Sequence, residues 1–150
     1  MMPEFWVAGL VGTAATVDDL RRRQISNWIP IAALIAGAAC QVYRHGWWGL
    51  WNAALGAVCG FLVFIIFYWL GGMGGGDVKL MAGFGALLGA KLLFEAALWT
   101  AAVGGLFAAG VIAYGAIRNW VRSDAKAGAA RTIPYAPAIT LGVWLALVPK

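Results

Sequence analysis

The sequence predicts an all-α protein, a polytopic transmembrane bundle of about six helices forming one domain over residues 1–150. Three observations predict it. The chain is 63% hydrophobic and 11% charged, whereas a soluble domain is about 45–50% apolar and ~25% charged. Its mean hydropathy is +0.81. Its basic residues sit in short stretches between long apolar runs, where they set membrane topology. The net charge of +5 therefore points to orientation in a lipid bilayer and not to nucleic acid.

The elements follow in order. The first helix is expected over Phe5–Val17. Met1 to Thr16 holds Glu4 and no Lys or Arg, so it does not read as a signal peptide and is expected to remain as a helix. The second runs from about Asn27 to Val42, with Pro30 in the first turn, where a missing N–H costs little. The third covers Trp48–Leu70, the fourth Val78–Ala90 and the fifth Phe94–Ile117. The sixth starts near Pro134 and reaches Val148. A full span needs ~20 residues, so the first, second, fourth and sixth are short. They span by extending through polar flanks, or the bilayer thins locally. Four spans with two re-entrant segments is the alternative.

Charge counting orients the bundle. Arg21, Arg22, Arg23, Lys79, Arg118, Arg122, Lys126 and Arg131 fall on one side. Arg44, Lys91 and Lys150 fall on the other, and eight plus three accounts for all 11 basic residues. The first side is expected to be cytoplasmic, with both chain ends outside and one sizeable cytoplasmic loop, Arg118–Thr132. Trp47, Trp48 and Trp51 mark the outer boundary, and Trp28, Trp69 and Trp120 the inner one, as an aromatic belt. Gly85 and Gly89 on the fourth helix, and Gly104 and Gly105 on the fifth, read as close-packing positions. Cys40 and Cys59 lie inside apolar runs without a C-x-x-C and read as buried thiols. His45 stands alone, with no cluster to make it a metal ligand.

The chain has six acidic residues: Glu4, Asp18, Asp19, Asp77, Glu95 and Asp124. A carboxylate at membrane depth is costly and usually functional. Asp77 follows Gly74-Gly75-Gly76, which permit unusual backbone conformations and close approach of another chain. The alternative is a helix cap for the fourth helix. The glycines form neither a phosphate loop, since Gly-x-x-x-x-Gly-Lys-Ser/Thr is absent, nor a dinucleotide fingerprint. Asp18-Asp19 ends the first apolar run beside Arg21-Arg22-Arg23. It reads equally as a solvated helix end or as the second half of a catalytic pair. Two carboxylates on one face can hydrolyse a peptide bond through a shared water, with one ionised as base and one protonated as acid. No metal or other cofactor is required. Lys79 has three open roles: a partner of Asp77, a substrate contact, or a side chain reaching the interface.

Three stretches carry a family resemblance. Asp19-Leu20-Arg21-Arg22-Arg23-Gln24-Ile25-Ser26-Asn27 resembles the first motif of the prepilin peptidases. Gly74-Gly75-Gly76-Asp77-Val78-Lys79-Leu80 resembles their Gly-x-Gly-Asp motif with its following Lys. Ile133-Pro134-Tyr135-Ala136-Pro137-Ala138-Ile139 is similar to the start of their last helix. The resemblance implies a multi-pass aspartic peptidase of the bacterial inner membrane. Its substrate would be a type IV prepilin, with a basic leader and a hydrophobic helix, cut after a glycine on the cytoplasmic side. It assigns the catalytic roles to Asp19 and Asp77, leaves Asp18 a bystander, and gives Gly74, Gly75, Gly76 and Lys79 a site-shaping role. Ser26 stands where proline is common, which is expected to loosen the turn into the second helix. The sequence lacks the cysteine-bearing N-terminal region of larger, bifunctional members. It thus resembles the minimal type serving Flp pilins of tight-adherence systems, and the resemblance does not extend to N-methylation. Rival readings are another Gly-x-Gly-Asp intramembrane protease, or a small proton- or cation-coupled transporter or assembly component. The sequence does not specify an oligomeric state.

Overall fold

The first helix, α1, spans Pro3–Arg22 and outruns its apolar stretch at both ends. Proline at the first helical position loses no bond, because that N–H has no intrahelical partner. Glu4 lies in the first turn and Arg21 and Arg22 in the last, the arrangement the helix dipole favours. The helix stops at Arg23, whose φ is 53° and whose N–H closes on the Asp19 carbonyl at 2.8 Å.

The computed structural model describes residues 3–70, 73–122 and 135–148. Among these, α2 spans Trp28–His45 and α3 Trp47–Trp69. Gly46 alone separates them, with a φ of 60° that suits glycine. The long α4 spans Gly75–Arg122 and α5 Ala136–Leu147. The described residues thus form five helices and no strand.

The expected fourth and fifth helices, Val78–Ala90 and Phe94–Ile117, are the two arms of α4, and only their bounds are corrected: the first arm begins earlier, at Gly75, and the break falls at Gly89 (φ 72°, ψ 170°). The residues after Gly89 are Ala, Lys and Leu, good helix formers with no turn chemistry. The break therefore falls on the residue that tolerates a positive φ. Gly89 was expected to serve packing, and it both packs closely, against Asn52 and Gly56, and turns the chain.

Neighbour contacts fix the course of each arm. In the first arm of α4, Gly76 meets Ile25, Gly83 meets Ala33 and Leu87 meets Gly37, so it runs alongside α2 in the same direction. Gly60 meets Met81 and Gly56 meets Gly85, so α3 runs against it. In the second arm Thr100 lies against Gly142, and Gly104 against Tyr135 and Ala138. That arm therefore returns antiparallel to α5, and the chain reverses at Gly89. Gly105 has open space where a side chain would be, so only its neighbour Gly104 packs.

Leu80, Met81, Phe84 and Leu87 of the first α4 arm are fully buried, as are Ile139 and Val143 of α5. This arm is the centre of the bundle. The periphery is the reverse of a soluble surface: Ile31, Ile35, Leu55, Leu62, Ile66 and Leu98 are each more than half exposed. Two stretches, Trp47–Trp69 and Gly75–Phe107, are long and apolar enough to cross a membrane. Trp47, Trp48 and Trp51 are exposed at one end of the bundle, and Trp28 and Trp69 at the other. Residues 118–122, expected in a loop, continue α4. The rest of that loop, Ile133-Pro134 and Lys150 lie outside the described residues.

Candidate active site

Asp19 and Asp77 come to the same end of the bundle. Asp19 stands in the last turn of α1 and is 6% exposed. Its Oδ2 accepts the N–H of Ala136, the first residue of α5, at 3.2 Å. That N–H is one of the donors a helix start leaves without an internal partner. Tyr135, at the cap position, supplies no side-chain bond. Asp19 thus caps α5 from another helix, and the α5 dipole favours a negative charge there.

Asp77 is the third residue of α4 and is 7% exposed. Its Oδ2 accepts the Gly74 N–H at 3.2 Å, and its own N–H donates to the Gly74 carbonyl at 3.1 Å. The capping alternative holds in this geometry with its position shifted. Gly74 holds the cap position and Asp77 reaches back to it, as the third residue of a capping box does. Asp77 Oδ1 is buried and has no hydrogen-bond partner among the described residues. Among the described residues neither acid has an ion-pair partner.

The glycines shape this turn from inside. A side chain on Gly76 would sit 3.0 Å from Ile25 Cβ, so the loop between α1 and α2 lies against the backbone just before Asp77. The close approach that the sequence suggested for a substrate chain is, at Gly76, made by the protein's own loop. Gly75 faces the Tyr68 ring. Lys79 does not bond Asp77. Its Nζ donates to Asn27 Oδ1 at 2.9 Å, tying α4 to the start of α2.

Asp18 makes its bonds to the loop after α1 and to its own helix. Its Oδ2 accepts the Ser26 N–H at 2.8 Å and its Oδ1 lies 3.5 Å from Arg22 Nε. Bonds from the Ser26 side chain and N–H hold its carboxyl below the usual range, against a smaller opposing effect of burial, and Arg22 adds to them. Ser26 therefore does not loosen the turn. It supplies an N–H that proline lacks, and Asp18 uses it.

A polar cluster at the opposite end escaped the sequence reading. Gln41 Nε2 donates to the Leu87 carbonyl at 3.0 Å, Asn52 Nδ2 to Gln41 Oε1 at 3.4 Å, and the Ala90 N–H to Asn52 Oδ1 at 3.3 Å. These bonds serve backbone groups that the reversal at Gly89 takes out of the helical ladder. Beside them Arg44 Nη1 donates to Glu4 Oε1 at 2.6 Å, and Glu4 is 3% exposed. The available signal was a Gln and an Asn inside otherwise apolar runs.

Two clefts flank the acid end. One, of about 550 Å³, lies between α1 and α2 and includes Leu10, Val17, Asp18, Arg21, Ser26 and Trp28. The other, of about 400 Å³, is almost wholly apolar and includes Phe64, Phe67, Met73, Phe94, Gly104 and Tyr135. Met73 and Tyr135 are the chain neighbours of Gly74 and Ala136, whose N–H groups hold the two acids. Among the described residues no three His, Cys, Asp or Glu side chains gather to hold a metal ion. Cys40 and Cys59 are free thiols and His45 is exposed.

The model of the type IV leader peptidase family matches residues 6–109, a stretch that contains both acids. The chain is similar to the prepilin leader peptidase/N-methyltransferase of Bacillus subtilis (strain 168), at 35% identity over 134 residues, 87% of this chain and 49% of that protein. It is similar to the protein of the same description from Aeromonas salmonicida (strain A449), at 31% over 142 residues, 90% of this chain and 45% of that protein. A preflagellin peptidase of Methanococcus voltae is 32% identical over 87 residues, 55% of this chain and 37% of that protein. The chain spans about half the length of the curated prepilin peptidases it matches. No solved structure matches.

Proposed function

Because the chain belongs to the type IV leader peptidase family, we propose that Asp19 and Asp77 form the catalytic pair of a membrane-embedded aspartic endopeptidase. Its substrate is a prepilin-type protein with a basic leader and a hydrophobic helix, cut after a glycine at the cytoplasmic face of the inner membrane. The observation that carries this reading is the pair itself. Two acids from helices far apart in sequence are buried at one end of the bundle, each held through one oxygen by a backbone N–H, and among the described residues no cation pairs with them.

Two carboxylates buried within each other's field do not both ionise readily, so the pair retains one proton near neutrality. The proton belongs best on Asp77, whose Oδ1 has no partner to stabilise a charge. Asp19 then takes a proton from the attacking water, and Asp77 donates to the scissile carbonyl oxygen. Collapse of the tetrahedral intermediate passes a proton to the leaving amine, and the pair returns to its starting state. Each step uses side chains and water alone. The apolar cleft beginning at Met73 and Tyr135 offers the substrate's hydrophobic helix a surface next to the pair. A Flp-type pilin is the proposed substrate class within the family. The test is co-expression with candidate prepilins, read as the mobility shift of leader removal. Processing that survives Asp77→Asn sinks the proposal.

A further inference from the structure

The loop that joins α1 to α2 is fastened at three places. Asp18 holds the Ser26 N–H at 2.8 Å. Ile25, 9% exposed, packs on the backbone of Gly76. Asn27 accepts from Lys79 at 2.9 Å. The second and third fastenings are on α4 and flank Asp77. The first is on α1, one residue before Asp19. The loop is therefore a strut between the two acids' helices, and Asp18 anchors its α1 end.

We propose that Asp18, through its bond to the Ser26 N–H, is a positioning residue that sets the separation of Asp19 and Asp77. The idea rests on the acid-pair reading above. Without an acceptor at position 18, the Ser26 N–H loses its partner and Ile25 no longer seats Gly76 against the pair. Catalytic groups displaced by about 1 Å can lose on the order of 10²-fold in rate. The function belongs to the acceptor oxygen and not to the charge, because asparagine at position 18 keeps an oxygen in the same place. Nor does it depend on Arg22, whose side chain is 74% exposed and whose contact with Asp18 is the longer one.

The experiment uses the purified full chain in detergent and a fluorogenic peptide with a basic leader, a glycine and an apolar segment. Rates are taken per folded enzyme. Asp18→Ala should lower kcat by about 10-fold or more with KM changed less than about 3-fold. Asp18→Asn should keep at least about half of the wild-type kcat, since the acceptor is retained. Arg22→Gln should match the wild type. Equal damage from Asp18→Asn and Asp18→Ala would assign the effect to charge and overturn the proposal. So would a fully active Asp18→Ala protein. If Asp18→Ala yields no folded protein, Asp18→Asn against Arg22→Gln still decides, because an inactive, folded Asp18→Asn enzyme contradicts an acceptor role. Asp19→Asn is run in parallel. Activity there would sink the acid pair itself, whereas its inactivity beside an active Asp18→Ala sinks only the strut.

Discussion

The two ends of the bundle treat buried acids in opposite ways. At one end Glu4 is 3% exposed and meets the Arg44 guanidinium, beside a Gln41–Asn52 network that serves the Gly89 reversal. At the other, Asp19 and Asp77 are almost as buried, but each is held by a backbone N–H and, among the described residues, neither meets a cation. A salt bridge fixes a charge and takes it out of chemistry. A pair of acids without a cation keeps a proton that can be moved. Burial therefore does not separate the ion-paired acid from the two proposed as catalytic, and the partner does.

Breaking the second end should give the largest effect. Asp19→Asn and Asp77→Asn should each lower cleavage by about 10³-fold or more, while the proteins still insert and accumulate, since removal of either acid ends the general acid–base relay. The assay is prepilin processing per folded enzyme. Gly76→Val comes next. It changes no ionisable group, yet the new side chain meets Ile25, and activity should fall by about 10- to 100-fold as the Asp77 turn shifts. Gly89→Val should instead reduce the yield of folded protein, because it forces a β-branched residue to a φ of 72°.

Breaking the first end should spare the chemistry. Glu4→Gln should keep activity within about 2-fold and destabilise the fold by about 1–2 kcal/mol, read as a lowered melting temperature, because Arg44 loses a charge-assisted bond. A catalytic collapse in Glu4→Gln would erase the contrast between the ends. The smallest expected effect is none: a chelator should leave the rate unchanged, since two carboxylates and water complete the reaction. Inhibition by chelator, reversed on adding metal, would move the chemistry elsewhere. Reporter fusions sharpen the same comparison, with the Asp19 end expected in the cytoplasm and the His45 end in the periplasm.

That Asp19 and Asp77 belong together at one end of the bundle was legible in the sequence because each interrupts an apolar context that has few other acids. A lone Asp after three glycines, and an Asp at the close of an apolar run, stand out where a carboxylate is costly. The helical class was legible from composition and run length. The reversal was legible as a break between Ala90 and Phe94, but its place at Gly89 was not, because a single residue makes it and the following Ala-Lys-Leu looks like helix. Partners distant in sequence were equally hidden. Nothing local to Lys79 names Asn27, and nothing near Glu4 names Arg44. Asp18 looked like a bystander because its acceptor role depends on the loop folding back to present the Ser26 N–H.

The central claim is that Asp19 and Asp77 share one proton at neutral pH. Isotope-edited infrared spectroscopy of the purified protein, with aspartate carboxyl carbons labelled, reads it directly. A shared proton gives a protonated-carboxyl band at neutral pH in the wild type and its loss in Asp77→Asn. A wild-type spectrum with every aspartate ionised, or the same band persisting in Asp77→Asn, would contradict it.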